Sequence, residues 1–482
     1  MEFESVIGLE THVQLKTQSK MFCSCAADYQ TADPNTRVCP VCMGMPGVLP
    51  VINRRAIEFT IMAGLALNCD IAQTTKFDRK NYGYPDLMKG YQISQFDLPL
   101  SEGGSLEIEV NGKSRCVGIT RVHVEEDAGK LVYMGAMGTA DAGFVDLNRA
   151  GVPLIEIVSE PDLRSPAEAG VFLRKLRNIL RYLEVCDGNM EQGSLRCDAN
   201  VSVRPTGTSH LGVKAELKNM NSFRFVERAL DYEIRRQIDV LEEGGRVIQE
   251  TRLWEEAKNE TMSMRGKEEA HDYRYFPDPD LVPVEVDRNW VDEIQNELPE
   301  LPDQKENRFV EGYGLPKEDA RILTATVELA DYFEKTSQQF PEPKKVSNWI
   351  LTELLRERKK DEGEKEPYIV VPPEHLAKML SMIQEGVISG KIGKQVLEEM
   401  VQTGKDPQTV VKEKGLVQIQ DSSELERIIE EVVENNPGEA QKFREGKEKV
   451  FGFLMGQVMK ATRGKANPKL ANEILRNRLK ET

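Results

Sequence analysis

Four of the eight cysteines fall close together, as Cys23-x-Cys25 and Cys39-Pro40-Val41-Cys42. Two close pairs of thiols are what a tetrahedral zinc site needs, so residues 23–42 read as a zinc knuckle. Thiolate would fill all four positions, which makes the site closed and structural; a catalytic zinc keeps one position open. A redox or unliganded cluster is the rival reading. Cys69, Cys116, Cys186 and Cys197 are scattered among apolar neighbours and read as buried small hydrophobes. A second constellation is acidic. Glu10 and His12 stand two apart in a strand-like segment and so share a face, and Glu125 and Glu216 could approach them from other strands. Mg²⁺ prefers carboxylate oxygens and keeps several waters, so such a face suits Mg²⁺ and phosphates, with nearby Lys and Arg neutralising phosphate oxygens. The plainer alternative is a solvated sheet face. A Walker loop is excluded: Gly112-Lys113-Ser114 resembles its end, but Glu107 stands where the first glycine belongs, and Asn111-Gly112 reads as a hairpin turn. No Rossmann fingerprint follows a strand.

These residues need a half-buried antiparallel sheet, and the alternation predicts one. Ile7, Leu9, Val13 and Leu15 oppose Glu10, His12 and Gln14. Leu195, Cys197, Ala199, Val201 and Val203 oppose Arg196, Asp198, Asn200, Ser202 and Arg204; Val213, Ala215 and Leu217 oppose Lys214, Glu216 and Lys218; Val122 and Val124 oppose His123, Glu125 and Asp127. Two helices are available to cover the apolar face. One starts at the capping box Ser165-Pro166-Ala167-Glu168, the other near Asn221-Ser222 and ends at Gly244-Gly245. The predicted fold class is α+β, an antiparallel-sheet cradle followed by all-α domains.

Breaks at Pro299–Glu306, at Lys359–Pro373 and near Thr403–Pro407 divide the chain into a catalytic cradle domain (1–292), a helical domain (293–406) and a tail domain (407–482). In the tail, Gly452 and Gly456 lie one helical turn apart, where a neighbouring helix could pack close, and Gly464-Lys465-Ala466-Asn467-Pro468 follows. No apolar run approaches the ~18 residues of a membrane span. The acidic start Met1-Glu2-Phe3-Glu4 fits neither a signal nor a transit peptide, so a cytoplasmic protein is expected. The formal net charge is −16, which at first argues against nucleic acid. Residues 441–482, however, hold eleven Lys/Arg against four Glu, a net of +7, which leaves −23 on the remainder. That excludes a broad basic RNA-coating surface but allows local contact through the tail.

Several long stretches resemble the GatB family, the B subunits of aspartyl/glutamyl-tRNA amidotransferases. They are Ile7–Leu15, Cys39–Cys42, Asp78–Leu87 with Tyr91–Gln95, Val145–Asp162, Arg196–Ser202, Lys218–Phe223 and His271–Pro277. Gly83 departs from the pattern, which more usually has an aromatic there. The resemblance spans the whole chain and implies a glutamine synthetase/guanido kinase-like cradle and a YqeY-like tail that touches tRNA. It implies that Mg-ATP phosphorylates the side-chain carboxylate of Glu-tRNA(Gln) or Asp-tRNA(Asn), and that ammonia then displaces the phosphate. The ammonia would come from a separate glutaminase, the A subunit, in a heterotrimer with a small C subunit, since this chain has no amidase motif of its own. On this resemblance Glu10, His12, Glu125 and Glu216 are expected to hold Mg²⁺, and Lys80 and Glu126 to form a charged ammonia gate. Lys80, Arg196, Lys214 and Lys218 are expected to contact phosphates or the substrate carboxylate, Asp198 and Asn200 to help bind the nucleotide, and Cys23, Cys25, Cys39 and Cys42 to hold structural Zn²⁺. The competing functions are a glutamine-synthetase-type ligase acting on a free amino acid, for which a tRNA-binding extension is superfluous, and a non-catalytic tRNA-binding scaffold, for which an ordered acidic face is unnecessary. An archaeal-type paralogue would carry an inserted domain for which 482 residues leave no room.

Overall fold

The structure is a computed structural model that describes residues 2–133, 143–264, 273–358, 371–416, 422–462 and 466–481. The motif residues His271 and Asp272, linker residues 359–370, and Gly464 and Lys465 of the tail lie outside the described residues. The chain divides into two units, Met1–Pro302 and Asp303–Thr482.

In the first unit the strands, in chain order, are β1 (Phe3–Gln14), β2 (Asp70–Ile71), β3 (Thr74–Thr75), β4 (Asp78–Asn81), β5 (Tyr91–Ser94), β6 (Ser101–Val110), β7 (Lys113–Glu126), β8 (Lys130–Tyr133), β9 (Gly143–Asp146), β10 (Pro153–Ser159), β11 (Leu195–Pro205), β12 (Ala215–Met220), β13 (Glu250–Glu255), β14 (Glu260–Ser263), β15 (Phe276–Pro277) and β16 (Val284–Glu285). Among the described residues, nine of them form one sheet in the order β14-β13-β12-β11-β1-β10-β7-β6-β2. All its pairings are antiparallel except β12 with β13. Asn111 and Gly112, both at positive φ, make the tight turn between β6 and β7, as their sequence predicts.

Alternation decides the faces. Ile7, Leu9 and Val13 of β1, Val122 and Val124 of β7, and Cys197, Ala199 and Val201 of β11 enter one core. Three helices cover it: α1 (Arg54–Ala66), α2 (Pro166–Tyr182) and α3 (Phe223–Glu242). Ser165 caps α2 by accepting from Glu168 N, and the Glu168 carboxylate reaches back to Arg164 N at 2.7 Å, a variant of the expected capping box. Ser222 caps α3 in the same way through Phe225 N. The fully buried Glu233 of α3 gathers Arg236, Gln237, Arg252 and Thr261, tying the β13–β14 edge to the helix layer.

Three expectations need correction. Strand β12 starts at Ala215, and Val213 lies before it, exposed, because the ladder with β11 begins only at the Val201–Ala215 pair. Cys116 is exposed, since it alternates with the buried Val117 and Ile119 and so falls on the face of β7 away from the core, whereas Cys69, Cys186 and Cys197 are buried. Gly452 and Gly456 face solvent, with nothing within 4 Å of a Cβ built on either, so no described helix packs against them.

A further helix, α4 (Arg288–Glu297), packs on α1 with Trp290 under the Arg54 guanidinium, so the first unit runs on to Pro302. The second unit is helical and holds two apolar clusters. One extends from Phe309 to Val411, so the helix Pro407–Glu413 buries Val410 and Val411 with it and not with the tail. The other joins the helices Ser422–Asn435, Pro437–Arg444, Lys449–Ala461 and Pro468–Glu481 through Leu425, Ile429, Leu454, Val458 and Leu475. Replacing Ser165 by Ala is expected to lower stability by about 1 kcal/mol, read as a shift in chemical denaturation, with the Glu168 contact retained.

Candidate functional site

The sheet face away from the helices carries a row of polar side chains set by register. His12 of β1 stands opposite Glu156 of β10 on one side and Arg196 of β11 on the other, and Glu156 stands opposite His123 of β7. Two residues along, Glu10 faces Asp198, while Asn200 faces Glu216 of β12. His12 Nε2 lies 3.5 Å from Glu156 Oε2, and His123 Nε2 lies 3.4 Å from the same oxygen and 3.3 Å from Glu125 Oε1. One ligand atom each from His12, Glu125 and Glu156 falls within 4.8 Å of the others, close enough to share one cation.

Cationic neighbours of Glu125 and Glu156 favour the charged form of these two buried acids. Burial alone would raise the Glu125 carboxyl, but Lys80 and His123 hold it far below the usual range. Burial likewise opposes charge on Glu156, yet its bond with His12 lowers it. On His12 burial works against the proton, and the Glu156 carboxylate raises its affinity regardless. Glu10 is pushed up by burial and then by Glu156, although Asn200 Nδ2 donates to it at 2.8 Å. A divalent cation would reverse that penalty, so the donor set fits Mg²⁺. Lys80 enters from β4 and lies 5.0 Å and 6.0 Å from the ring centres of Tyr273 and Tyr82. Across the face, Lys218 pairs with Asp198 and, at 2.8 Å, with Glu216, which also accepts from Thr251 Oγ1. Lys214 is exposed, outside the strand, and near enough to lower Glu216.

The four cysteines meet as a second group, their Sγ atoms also within 4.8 Å of one another. The Ser19–Ala26 bridge closes the loop that carries Cys23 and Cys25. In the second loop Cys39 N donates to Cys42 Sγ at 3.2 Å. The hydrogen bond between Cys23 and Cys42 draws Cys42 down to about 5 and drives Cys23 up, while burial pushes Cys25 up to about 11. Four sulfurs so placed could hold one tetrahedral metal. Gly44, at positive φ, is required where the loop turns, since a Cβ there would meet Lys89 Cγ at 2.3 Å.

A family model described as the GatB/GatE catalytic domain matches residues 5–292, and one described as a GatB domain matches residues 331–479. The chain belongs to the GatB family. It is 56% identical over 478 residues to the B subunit of the aspartyl/glutamyl-tRNA(Asn/Gln) amidotransferase of Carboxydothermus hydrogenoformans, covering 99% of each. The protein of the same name from Moorella thermoacetica is 57% identical over 482 residues, covering 99% of this chain and 100% of the relative. That from Geobacter sp. is 54% identical over 479 residues, covering 99% and 100%.

Against the site expected from the sequence, the face gathers Glu10, His12, Lys80, Glu125, Arg196, Asp198, Asn200, Glu216 and Lys218. It does not gather Glu216 with His12 and Glu125 in one metal-sized space; Glu156 takes that place. Lys80 and Glu126 do not pair with each other. Glu126 points to the opposite side of β7 from Glu125, where it pairs with Lys89 and accepts from Ile93 N at 3.0 Å, while Lys80 faces Glu125. Glu126 and Lys89 instead line a cavity with Lys20, Cys23 and Cys42. Glu156 and His123 also stand on this face, and neither was marked as a site residue by the sequence pattern. The lone acid in the apolar run Pro153–Ser159 was the available signal for the first.

Arg196 is held by Asp127, whose Oδ2 accepts from Arg196 Nη2 at 2.8 Å and from Gln14 Nε2 at 2.7 Å, with Arg149 on the other oxygen. Burial would raise the Asp127 carboxyl, but Arg196 and then Arg149 outweigh it and lower it. The folded-state value therefore lies below the unfolded one. This stabilisation is complete above about pH 4 and lost as pH falls through the folded value. Asp127→Asn is expected to destabilise the protein by on the order of 3 kcal/mol at pH 7. The deficit should shrink below about pH 3 in a pH series of denaturation curves.

Proposed function

We propose that the chain is the B subunit of an aspartyl/glutamyl-tRNA(Asn/Gln) amidotransferase, and that its polar sheet face activates the side-chain carboxylate of a misacylated Glu-tRNA(Gln) or Asp-tRNA(Asn) with ATP. The names of its full-length relatives support the subunit role. The single observation that carries the chemistry is the convergence of His12, Glu125 and Glu156, flanked by Lys80, Arg196 and Lys218. A carboxylate is a poor electrophile. Transfer of the γ-phosphoryl group to one of its oxygens, with ADP leaving, makes it an acyl phosphate that ammonia can attack at carbon with loss of phosphate. His12, Glu125 and Glu156 would hold Mg²⁺, which when bound supplies charge neutralisation for the phosphates. Glu10 and Glu216, a short way along the face, are suited to further Mg²⁺ or water contacts. Lys80 stands where it can meet the transferring phosphoryl group or the substrate carboxylate, and its tyrosine cage limits the directions it can take. Arg196, fixed by Asp127, presents the rest of its guanidinium to the same face. An antiparallel sheet that holds Mg-ATP on one face is also how glutamine synthetase-like and guanido kinase-like cradles work, and this reading assigns the first unit to that type.

The four-cysteine cluster is read as a structural Zn²⁺ site. The ammonia would arrive from a glutaminase, the A subunit, assembled with a small C subunit. The Glu126–Lys89 pair is a better candidate than Lys80–Glu126 for a charged gate on its path. The basic tail would meet tRNA. Its start is drawn at residue 422, since the helix before it belongs to the other apolar cluster.

The test is the assembled enzyme with His12→Ala or Glu156→Gln. Transamidation is expected to fall by at least about 100-fold while glutaminase activity persists. Near-normal transamidation by both variants would sink the assignment. ATP hydrolysis by the unmodified enzyme should rise with Glu-tRNA(Gln) and not with free glutamate, which separates this function from that of a free-amino-acid ligase. Removing residues 422–482 should weaken tRNA binding and flatten its dependence on salt in a titration across ionic strengths; an unchanged affinity would show that the tail is not the contact.

A further inference from the structure

Lys20 is fully buried, and it is among the largest side chains with no exposure to solvent. Its backbone is fixed at the neck of the first cysteine loop. Lys20 N donates to the Cys25 carbonyl at 2.9 Å, and Asn53 Nδ2 donates to the Lys20 carbonyl at 3.2 Å. The ammonium donates to the Leu147 carbonyl at 3.4 Å and lies 3.7 Å from Cys42 Sγ. Among the described residues no carboxylate comes within ion-pair distance of it. Glu126 lines the same cavity but is taken by Lys89. An ammonium removed from water needs an anion or several strong acceptors, and one carbonyl does not suffice. The sulfur cluster is the anion within reach.

The charge arithmetic of the cluster matches. Four thiolates around a divalent metal leave two negative charges in excess, spread over sulfurs that are partly or wholly out of water. We propose that Lys20 is the built-in counter-ion of the four-cysteine centre, so that it governs how firmly the metal is retained and how unreactive the Cys42 thiolate remains. This rests on the zinc reading above and adds to it a residue that ligates nothing. The ammonium stabilises the metal-bound tetrathiolate over the empty or protonated cluster. By donating to one sulfur it also withdraws electron density from Cys42 ahead of the other three. Lys20 is therefore a positioning residue for the metal centre.

The experiment uses the full chain with Lys20→Met, Lys20→Gln and Lys20→Arg. Bound zinc is measured first. Its transfer to a chromophoric chelator is then timed, and alkylation of the zinc-loaded protein by iodoacetamide is mapped by mass spectrometry. The neutral variants are expected to release zinc on the order of tenfold faster or more, the size seen when outer partners of metal ligands are removed. Alkylation should rise at Cys42 before Cys23 or Cys25, and Lys20→Arg, which keeps the charge, should stay near the unmodified protein. A merely structural role would expose the four cysteines alike and would not separate Gln from Arg. Lys20→Gln keeps a donor for the Leu147 carbonyl, so it serves if the Met variant does not fold. Zinc in the unmodified chain with normal release and alkylation in Lys20→Gln overturns the role of Lys20 alone; no zinc in the unmodified chain overturns the zinc reading and this inference with it.

Discussion

Because side chains alternate along a strand, pairing His12 with Glu156 on one side and Arg196 on the other commits every residue of β1 to a face. A slip of one residue would turn Ile7, Leu9 and Val13 to the polar side and put Glu10 and His12 into the core with Leu173 and Leu176. The apolar burial under α2 and α3 therefore does more than stabilise the unit. It fixes the register that brings an imidazole and two carboxylates, from three strands far apart in sequence, within reach of one cation. The site inherits its precision from the core.

The same alternation separates two chemistries that are adjacent in sequence. Glu125 continues the phase of His123 and faces the cradle, where Lys80 holds it charged. Glu126 continues the phase of Val122 and Val124, emerges at the other side of the sheet, and meets Lys89 beside the cysteine cluster. Asp127 returns to the first face and clamps Arg196. Three consecutive acids thus have three basic partners, and each carboxylate is offset where it lies. An enzyme that must hold several carboxylates out of water before any cation binds needs such local compensation, because an unpaired buried charge costs more than most folds can bear.

These facts also explain what could be read from the sequence. Strands β1, β7 and β11 alternate apolar with polar residues, so their patterns show, and the placement of Glu10, His12, Glu125 and Asn200 followed from spacing two apart. β10 is buried almost throughout, so its alternation is silent and Glu156 looks like an isolated acid in an apolar run. That Lys89 and not Lys80 meets Glu126 was hidden for a different reason. Lys80 and Lys89 come from segments whose approach to β7 is set by the β4–β5 pairing and by Gly44, neither of which a single-strand pattern encodes. Helix starts were legible because Ser165 and Ser222 act locally. Domain edges were less so, since only packing tells that Trp290 belongs with α1 and Val410 with the preceding helices.

Lys20 is the extreme case. Nothing in Gln18-Ser19-Lys20-Met21-Phe22 marks the lysine as different from a solvated one, and its neighbours Met21 and Phe22 enter the core. A lysine placed there has to be buried, and burial of an ammonium is tolerated only against negative charge. The cysteine loops supply that charge once their thiols are ionised. An ammonium fixed 3.7 Å from the Cys42 sulfur favours its ionised form. A metal held by four thiolates and a buried lysine would each reduce the cost of burying the other. Glu126 and Lys89 line the same cavity, and because they satisfy each other the cysteine sulfur is left as the counter-charge for Lys20.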